Sequence, residues 1–184
     1  MAHEHWQYFL ALETDLDAIT RYVELCPANY GTYSIELAKL LLAVCSEVDV
    51  VARLLCREVD PAAPAANIDD YRTTIGANYP LFHTIQVLIP RFSLEFRPWS
   101  DWGSGVNPGW WREHNDVKHF RYDNYPRANL GNCLGALTGL FALVLYLYHK
   151  DLLAVRLEPE QKLLALPKQP DTLIEGKYEL PDFR

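Results

Sequence analysis

The chain has 184 residues, which is enough for one hydrophobic core and short for two, and its formal net charge is −7. A hydrophobic fraction of 49% and a charged fraction of 22% exclude a largely disordered chain. The negative charge argues against a protein that wraps non-specifically around nucleic acid. Residues 1–70 contain four basic and twelve acidic side chains, but residues 71–150 contain eight basic and five acidic. Any phosphate contact is therefore expected in the second segment.

The cysteines predict buried, reduced thiols in a cytoplasmic protein, because they are dispersed in apolar surroundings without a CxxC pair. The N-terminus lacks a basic region followed by an apolar run, so no secretory signal is predicted. His3 and His5 have no third ligand nearby, and neither a metal site nor a cofactor is expected. The four cysteines are Cys26, Cys45, Cys56 and Cys133.

Three helices are predicted in the first half of the chain. Apolar residues recur every three or four positions over residues 5–25, until Cys26-Pro27 ends the pattern. Residues 34–59 contain no internal Gly or Pro and predict a long central helix with a broad apolar face. Asn67 and Asp70 resemble a capping pair, which predicts a helix over residues 68–77.

The middle of the chain is less regular. Residues 81–88 are apolar and are predicted to be helical, although prolines flank the segment. Residues 97–107 read as a loop because of their Pro, Gly and Ser content. Two interpretations fit the tryptophans in and after this loop: an aromatic cluster that holds the loop on the bundle, or an exposed platform on which bases stack. These tryptophans are Trp99, Trp102, Trp110 and Trp111.

A last helix is predicted over residues 126–149, which are almost continuously apolar from residue 130 onwards. Its length is near that of a membrane span, but the polar residues in it favour a buried helix. Gly131, Gly135 and Gly139 recur every four positions and predict a flat face for close packing of helices or subunits.

The predicted fold class is therefore an all-α, up-and-down bundle of four to five helices. Residues 1–150 are predicted to form one helical domain. Residues 151–184 contain four prolines and short apolar runs, which predict a loosely packed C-terminal extension with two short strands.

Polar chemistry concentrates in residues 107–122, NPGWWREHNDVKHFRY. Asn107-Pro108 predicts a helix start with the Asn side chain as the cap. On this helix Arg112 and His119 are seven residues apart, about two turns, so they project from nearly the same side roughly 10 Å apart. The further residues expected to bind phosphate are Asn115, Lys118 and Arg121.

Acidic residues in the central helix allow two interpretations. Asp49 lies four residues before Arg53, so this part of the helix fits a solvated face with an intrahelical ion pair. Alternatively, Glu47 or Asp49 points at the basic stretch and orients Arg112 or His119.

The basic stretch resembles the signature of the HEPN superfamily, which consists of helical-bundle proteins. That signature is an Arg, four to six residues and then a His, often with a polar residue directly after the Arg. Here Arg112 is followed by EHNDVK and then by His119, and Glu113 is the polar residue. The resemblance covers residues 108–149, and the helical pattern upstream is compatible with it.

The resemblance implies a metal-independent endoribonuclease, of the kind found in toxin–antitoxin, phage-defence or RNA-processing systems. It further implies a homodimer whose two motifs face one another, RNA as substrate and an antitoxin protein as partner. His119 would move a proton, while Arg112 would stabilise the charge that develops at phosphorus. One alternative is a non-catalytic helical module that binds RNA, a nucleotide or a protein. In another, Arg112, Glu113 and Asp116 form surface ion pairs and His119 is packed.

Overall fold

A computed structural model of the protein describes residues 3–149, 157–167 and 180–183. Helices dominate these ranges, so the prediction of an all-α helical bundle is confirmed. Only a small antiparallel hairpin accompanies them there. The helices are α1 (Glu4–Ile19), α2 (Ile35–Val59), α3 (Ile68–Asn78), α4 (Gly109–Asn124) and α5 (Leu130–Leu147); the strands are β1 (Val87–Ile89) and β2 (Leu94–Phe96).

Local signals explain where α2 and α3 begin. The Ser34 hydroxyl accepts a hydrogen bond from the backbone N–H of Leu37 at 3.1 Å, so α2 starts where the sequence predicts. The Asn67 side-chain oxygen accepts from the backbone N–H groups of Asp69 and Asp70, which confirms the predicted start of α3. By contrast, α1 is shorter than predicted and ends at Ile19, beyond which the chain turns.

The centre of the bundle is the contact between α2 and α5, which is the largest between any two helices of the described ranges. The thiol of Cys133 on α5 donates to the backbone oxygen of Leu37 on α2 at 3.2 Å. The Asn129 side chain caps α5 at the backbone N–H of Asn132, so this helix starts later than the predicted Pro126. Among the described helices α5 alone is long and apolar enough to cross a membrane, yet 83% of that stretch is buried inside the protein.

The predicted helix over residues 81–88 is wrong. A single 3₁₀ turn, Phe82–Thr84, leads into β1, which pairs with β2 so that Leu88 lies opposite Glu95. Leu88 also exchanges two backbone hydrogen bonds with Ala165, at 2.8 and 2.9 Å. The prolines that flank the segment disfavour helix, and a partner 77 residues away in sequence satisfies the extended backbone.

The C-terminal extension is packed against the bundle where the structure describes it. Leu163 and Leu164 are buried in the same core as the helices. The buried carboxylate of Glu13 on α1 accepts hydrogen bonds from the backbone N–H groups of residues 162–164. Of the two strands predicted in this region, the first contributes only the bridge of Ala165 to Leu88. The second falls on residues 172–180, and all of these except Leu180 lie outside the described part of the chain.

The four tryptophans form a buried cluster, with each side chain at most 8% exposed. They therefore hold the loop of residues 97–107 on the bundle, and the alternative of an exposed stacking platform is wrong. Trp110 lies against Gly135 and Gly139, while Gly131 faces Tyr30. The flat face of α5 is thus filled by side chains of its own chain, which removes it as an argument for contact between subunits.

Candidate functional site

The basic stretch lies on α4, which begins directly after Pro108 as expected. The predicted cap is wrong, because the Asn107 side chain makes no capping hydrogen bond to this helix. The Asn107 oxygen instead accepts from the Arg72 guanidinium, and the Asn107 amide donates to Asp69 at 3.0 Å. Asn107 therefore joins the start of α4 to α3.

The orientation of α4 follows from its apolar side. Trp110, Trp111, His114 and Val117 are buried against the bundle. Arg112 and His119 lie on the opposite side of the helix, since side chains seven residues apart share a face, and both are exposed. Tertiary packing therefore presents the two candidate catalytic side chains to solvent together.

Within the described ranges, four candidate residues of α4 make no side-chain hydrogen bond or ion pair. They are therefore available to an anion from outside the described part of the chain. This cationic surface of α4 consists of Arg112, Lys118, His119 and Arg121.

The helix is interrupted at Phe120, whose φ of −137° and ψ of 48° are not helical. Arg121 therefore does not continue the regular face that carries Arg112 and His119. The break turns Arg121 and Tyr122 towards the first half of α2, where both line a groove.

Two other predicted site residues of α4 are engaged elsewhere: Asn115, expected to bind phosphate, and Glu113, the polar residue after Arg112. The Asn115 amide donates to the backbone oxygen of Trp111 at 3.2 Å. Glu113 accepts from Arg127 at 2.9 Å, and Asp116 accepts from the same guanidinium at 2.6 Å. The surface ion pairs of this region are thus made by Arg127, and Arg112 has no part in them.

The acidic residues of α2 do not bond to the two candidate catalytic side chains. Glu47 is buried and lies 2.6 Å from Nδ1 of His5 at the start of α1. Asp49 accepts from Arg53 at 2.6 Å and from the Tyr71 hydroxyl at 2.8 Å. The interpretation of Asp49 as part of an intrahelical ion pair therefore describes the geometry, and Glu47 ties α2 to α1.

Sequence reasoning missed His114, which is 4% exposed and packs beside Trp111. Its Nδ1 is buried without a hydrogen-bond partner in the described part of the chain. Burial, and then the nearby charges of Lys118 and His119, lower the pKa of His114 to about 4, against an opposing effect of Asp49. The signal was present, because His114 lies four residues after Trp110 on the buried side of α4.

Across residues 3–149, 157–167 and 180–183, no three His, Cys, Asp or Glu side chains gather closely enough to hold a metal ion. The candidate site is a helix surface with exposed cationic side chains and one exposed imidazole. No family model, curated protein or solved structure matches the chain, so the resemblance to the HEPN superfamily stays a hypothesis.

Proposed function

We propose that this protein binds RNA on α4 and cleaves it without a metal ion, as an endoribonuclease of the HEPN type. The observation that carries the proposal is the exposure of Arg112 and His119 on one side of α4, without a partner among the described residues. Lys118 and Arg121 add two further cations on the same element that are unpaired within the described ranges. A scissile phosphate on this surface would meet a guanidinium that can bind two of its oxygens.

The exposed imidazole can carry the proton transfers of the reaction. Neutral His119 would take the proton of a ribose 2′-hydroxyl, whose oxygen then attacks phosphorus. The bond to the 5′-oxygen breaks, and that oxygen takes a proton from water or from a second imidazolium. Arg112 would stabilise the negative charge on the phosphate oxygens. The products would be a 2′,3′-cyclic phosphate and a 5′-hydroxyl end.

A homodimer belongs to this proposal, because the described part of one chain gives His119 a ring contact with Phe120 but no hydrogen-bond or ion-pair partner. Two copies that face each other through α4 would bring a second imidazole to the site. They would also exclude water from it, which one exposed surface does not. A cytoplasmic location, which the cysteines predict, and an antitoxin partner, which the resemblance implies, stay predictions.

A non-catalytic RNA-binding or nucleotide-binding module is the second candidate. The observation that favours it is again the exposure of His119, because a general acid or base is normally oriented by a neighbouring group. Such a module would use the same cationic surface for phosphate and would leave the RNA intact.

Cleavage of labelled single-stranded RNA by the wild type, with and without a chelator, tests the proposal. We expect chelator-resistant cleavage that His119→Ala or Arg112→Ala lowers about a hundredfold or more, with the fold intact by circular dichroism. The matched controls are His83→Gln and Arg57→Ala, which lie outside α4 and should cut normally. Binding without cleavage supports the module instead, and absence of both binding and cleavage rejects the endoribonuclease and the RNA-binding module.

A further inference from the structure

A groove lies between the first half of α2 and the end of α4, next to the cationic surface. Its volume is about 670 Å³, within the range of pockets that hold small molecules. The break at Phe120 creates one wall, because it directs the residues after it towards α2. The lining residues are Ile35, Ala38, Lys39, Leu42, Arg121, Tyr122 and Tyr125.

The walls of the groove are apolar and aromatic. Ile35 is 69% exposed and Tyr122 is 97% exposed, so neither is covered by the described part of the chain. Tyr125 is held in place by an edge contact with Tyr33, with the ring centroids 5.3 Å apart. A flat aromatic ligand could therefore lie against Tyr125, which is fixed, and contact Tyr122 without displacing any described side chain from it.

The charges at the groove favour an anionic ligand. Arg121 is unpaired within the described ranges, whereas Lys39 is engaged by Glu36 at 2.8 Å. Arg121 therefore supplies the available positive charge. It also belongs to the cationic surface of α4, at the end that lies beyond the break at Phe120. A ligand with one flat ring in the groove and phosphates along α4 satisfies both features.

We propose that this groove is a subsite for one base of single-stranded RNA, whose backbone phosphates lie on the cationic surface of α4. The inference rests on the proposed function and deepens it, because it names the form of RNA that the site takes. A base held between stacked neighbours in a duplex cannot enter the groove. Stacking on tyrosine tolerates every base, so the subsite selects single strands without selecting a sequence.

Binding of two uncleavable oligomers of equal length tests the subsite, with fluorescence anisotropy as the readout. One is a 2′-O-methyl single strand with its bases, and the other is the same backbone made abasic. We expect Tyr122→Ala to weaken binding of the first roughly 5- to 100-fold, the scale of one lost stacking contact. Binding of the abasic oligomer should not change, and its salt dependence should be that of the wild type. The control is Tyr22→Ala, which removes a tyrosine that is 87% exposed outside this groove.

The other outcomes separate the two proposals. If the wild type binds both oligomers equally and Arg112→Ala weakens binding of each, the phosphate site is supported and the base subsite is overturned. A Tyr122→Ala variant that binds both oligomers as wild type does also overturns it. Loss of self-association in Tyr122→Ala by light scattering, with unchanged RNA binding, makes the groove an interface between copies. Wild type that binds neither oligomer overturns the subsite and the proposed function together.

Discussion

The indole of Trp110 occupies the space that a side chain at Gly135 would need. A Cβ at position 135 would lie 2.8 Å from Cδ1 of Trp110, closer than non-bonded carbon atoms approach. One helical turn later, a Cβ at Gly139 would lie 3.0 Å from Cζ2 of the same ring. The packing of Trp110 against α5 fixes which side of α4 is buried. It thereby fixes the side on which Arg112 and His119 are exposed to solvent.

Gly135→Ala should destabilise the protein. Alanine gains about 1 kcal/mol over glycine in a helix interior, but overpacking of a dense core typically costs about 1–3 kcal/mol, so we expect a net loss. Gly76→Ala is the matched control, because a Cβ on this helical glycine of α3 meets nothing within 4 Å. It should stabilise by about 0.5–1 kcal/mol. Urea unfolding measures the free energy of unfolding of both variants. Equal effects of the two substitutions would contradict the packing of Trp110 against Gly135.

Glu13→Ala should release the described part of the C-terminal extension. The variant leaves three backbone N–H groups without the carboxylate that accepts them at 2.7, 2.7 and 3.0 Å, a loss of about 3 kcal/mol. Limited proteolysis followed by mass spectrometry should then detect faster cutting within residues 157–167. Glu13→Gln keeps one acceptor oxygen, so the protease should cut this variant at an intermediate rate. Asp15→Ala removes an exposed carboxylate from the same helix, and the protease should cut this variant as fast as the wild type.

His114 should make stability fall on acidification. The pKa of His114 is lowered to about 4 in the folded protein, against the ordinary 6.5 when unfolded, so the unfolded chain binds the extra proton between these values. The free energy of unfolding is therefore unaffected by His114 above pH 6.5 and decreases as the pH falls from 6.5 to 4. The decrease from pH 7.5 to 5 should be about 2 kcal/mol.

Urea titrations at both pH values measure the effect of His114. His114→Phe should lose most of the difference between them, since phenylalanine fills the apolar site without a titratable nitrogen. His83→Gln should retain the difference. If His114→Phe keeps the wild-type pH dependence, the acid sensitivity arises from other groups, such as the carboxylates.

Arg112→Ala should change the salt dependence of RNA binding as well as its strength. Loss of one phosphate contact should make the slope of log Kd against log salt shallower by about 0.7, the value for one charge on a single strand. Arg57→Ala, an exposed arginine near the end of α2, should keep the wild-type slope. An unchanged slope for Arg112→Ala would place RNA binding elsewhere on the protein.

Local patterns alone predicted several features of the fold. The hydroxyl of Ser34 and the amide of Asn67 cap helices that follow them directly, because these hydrogen bonds join residues two or three positions apart. The helical period of residues 108–119 likewise placed Arg112 and His119 on one side of α4. In these cases the groups that decide the structure are neighbours in the sequence.

Contacts between distant segments decided the rest. Leu88 is extended because Ala165 takes both of its backbone hydrogen bonds, and Glu47 faces His5 because α1 packs on α2. Asn107 binds Arg72 in place of capping α4. Local periodicity carries no information about a partner that lies 35 to 77 residues away in the chain. The same limit applied to the site, since the packing of Trp110 and its buried neighbours against the bundle determined which side of α4 faces water.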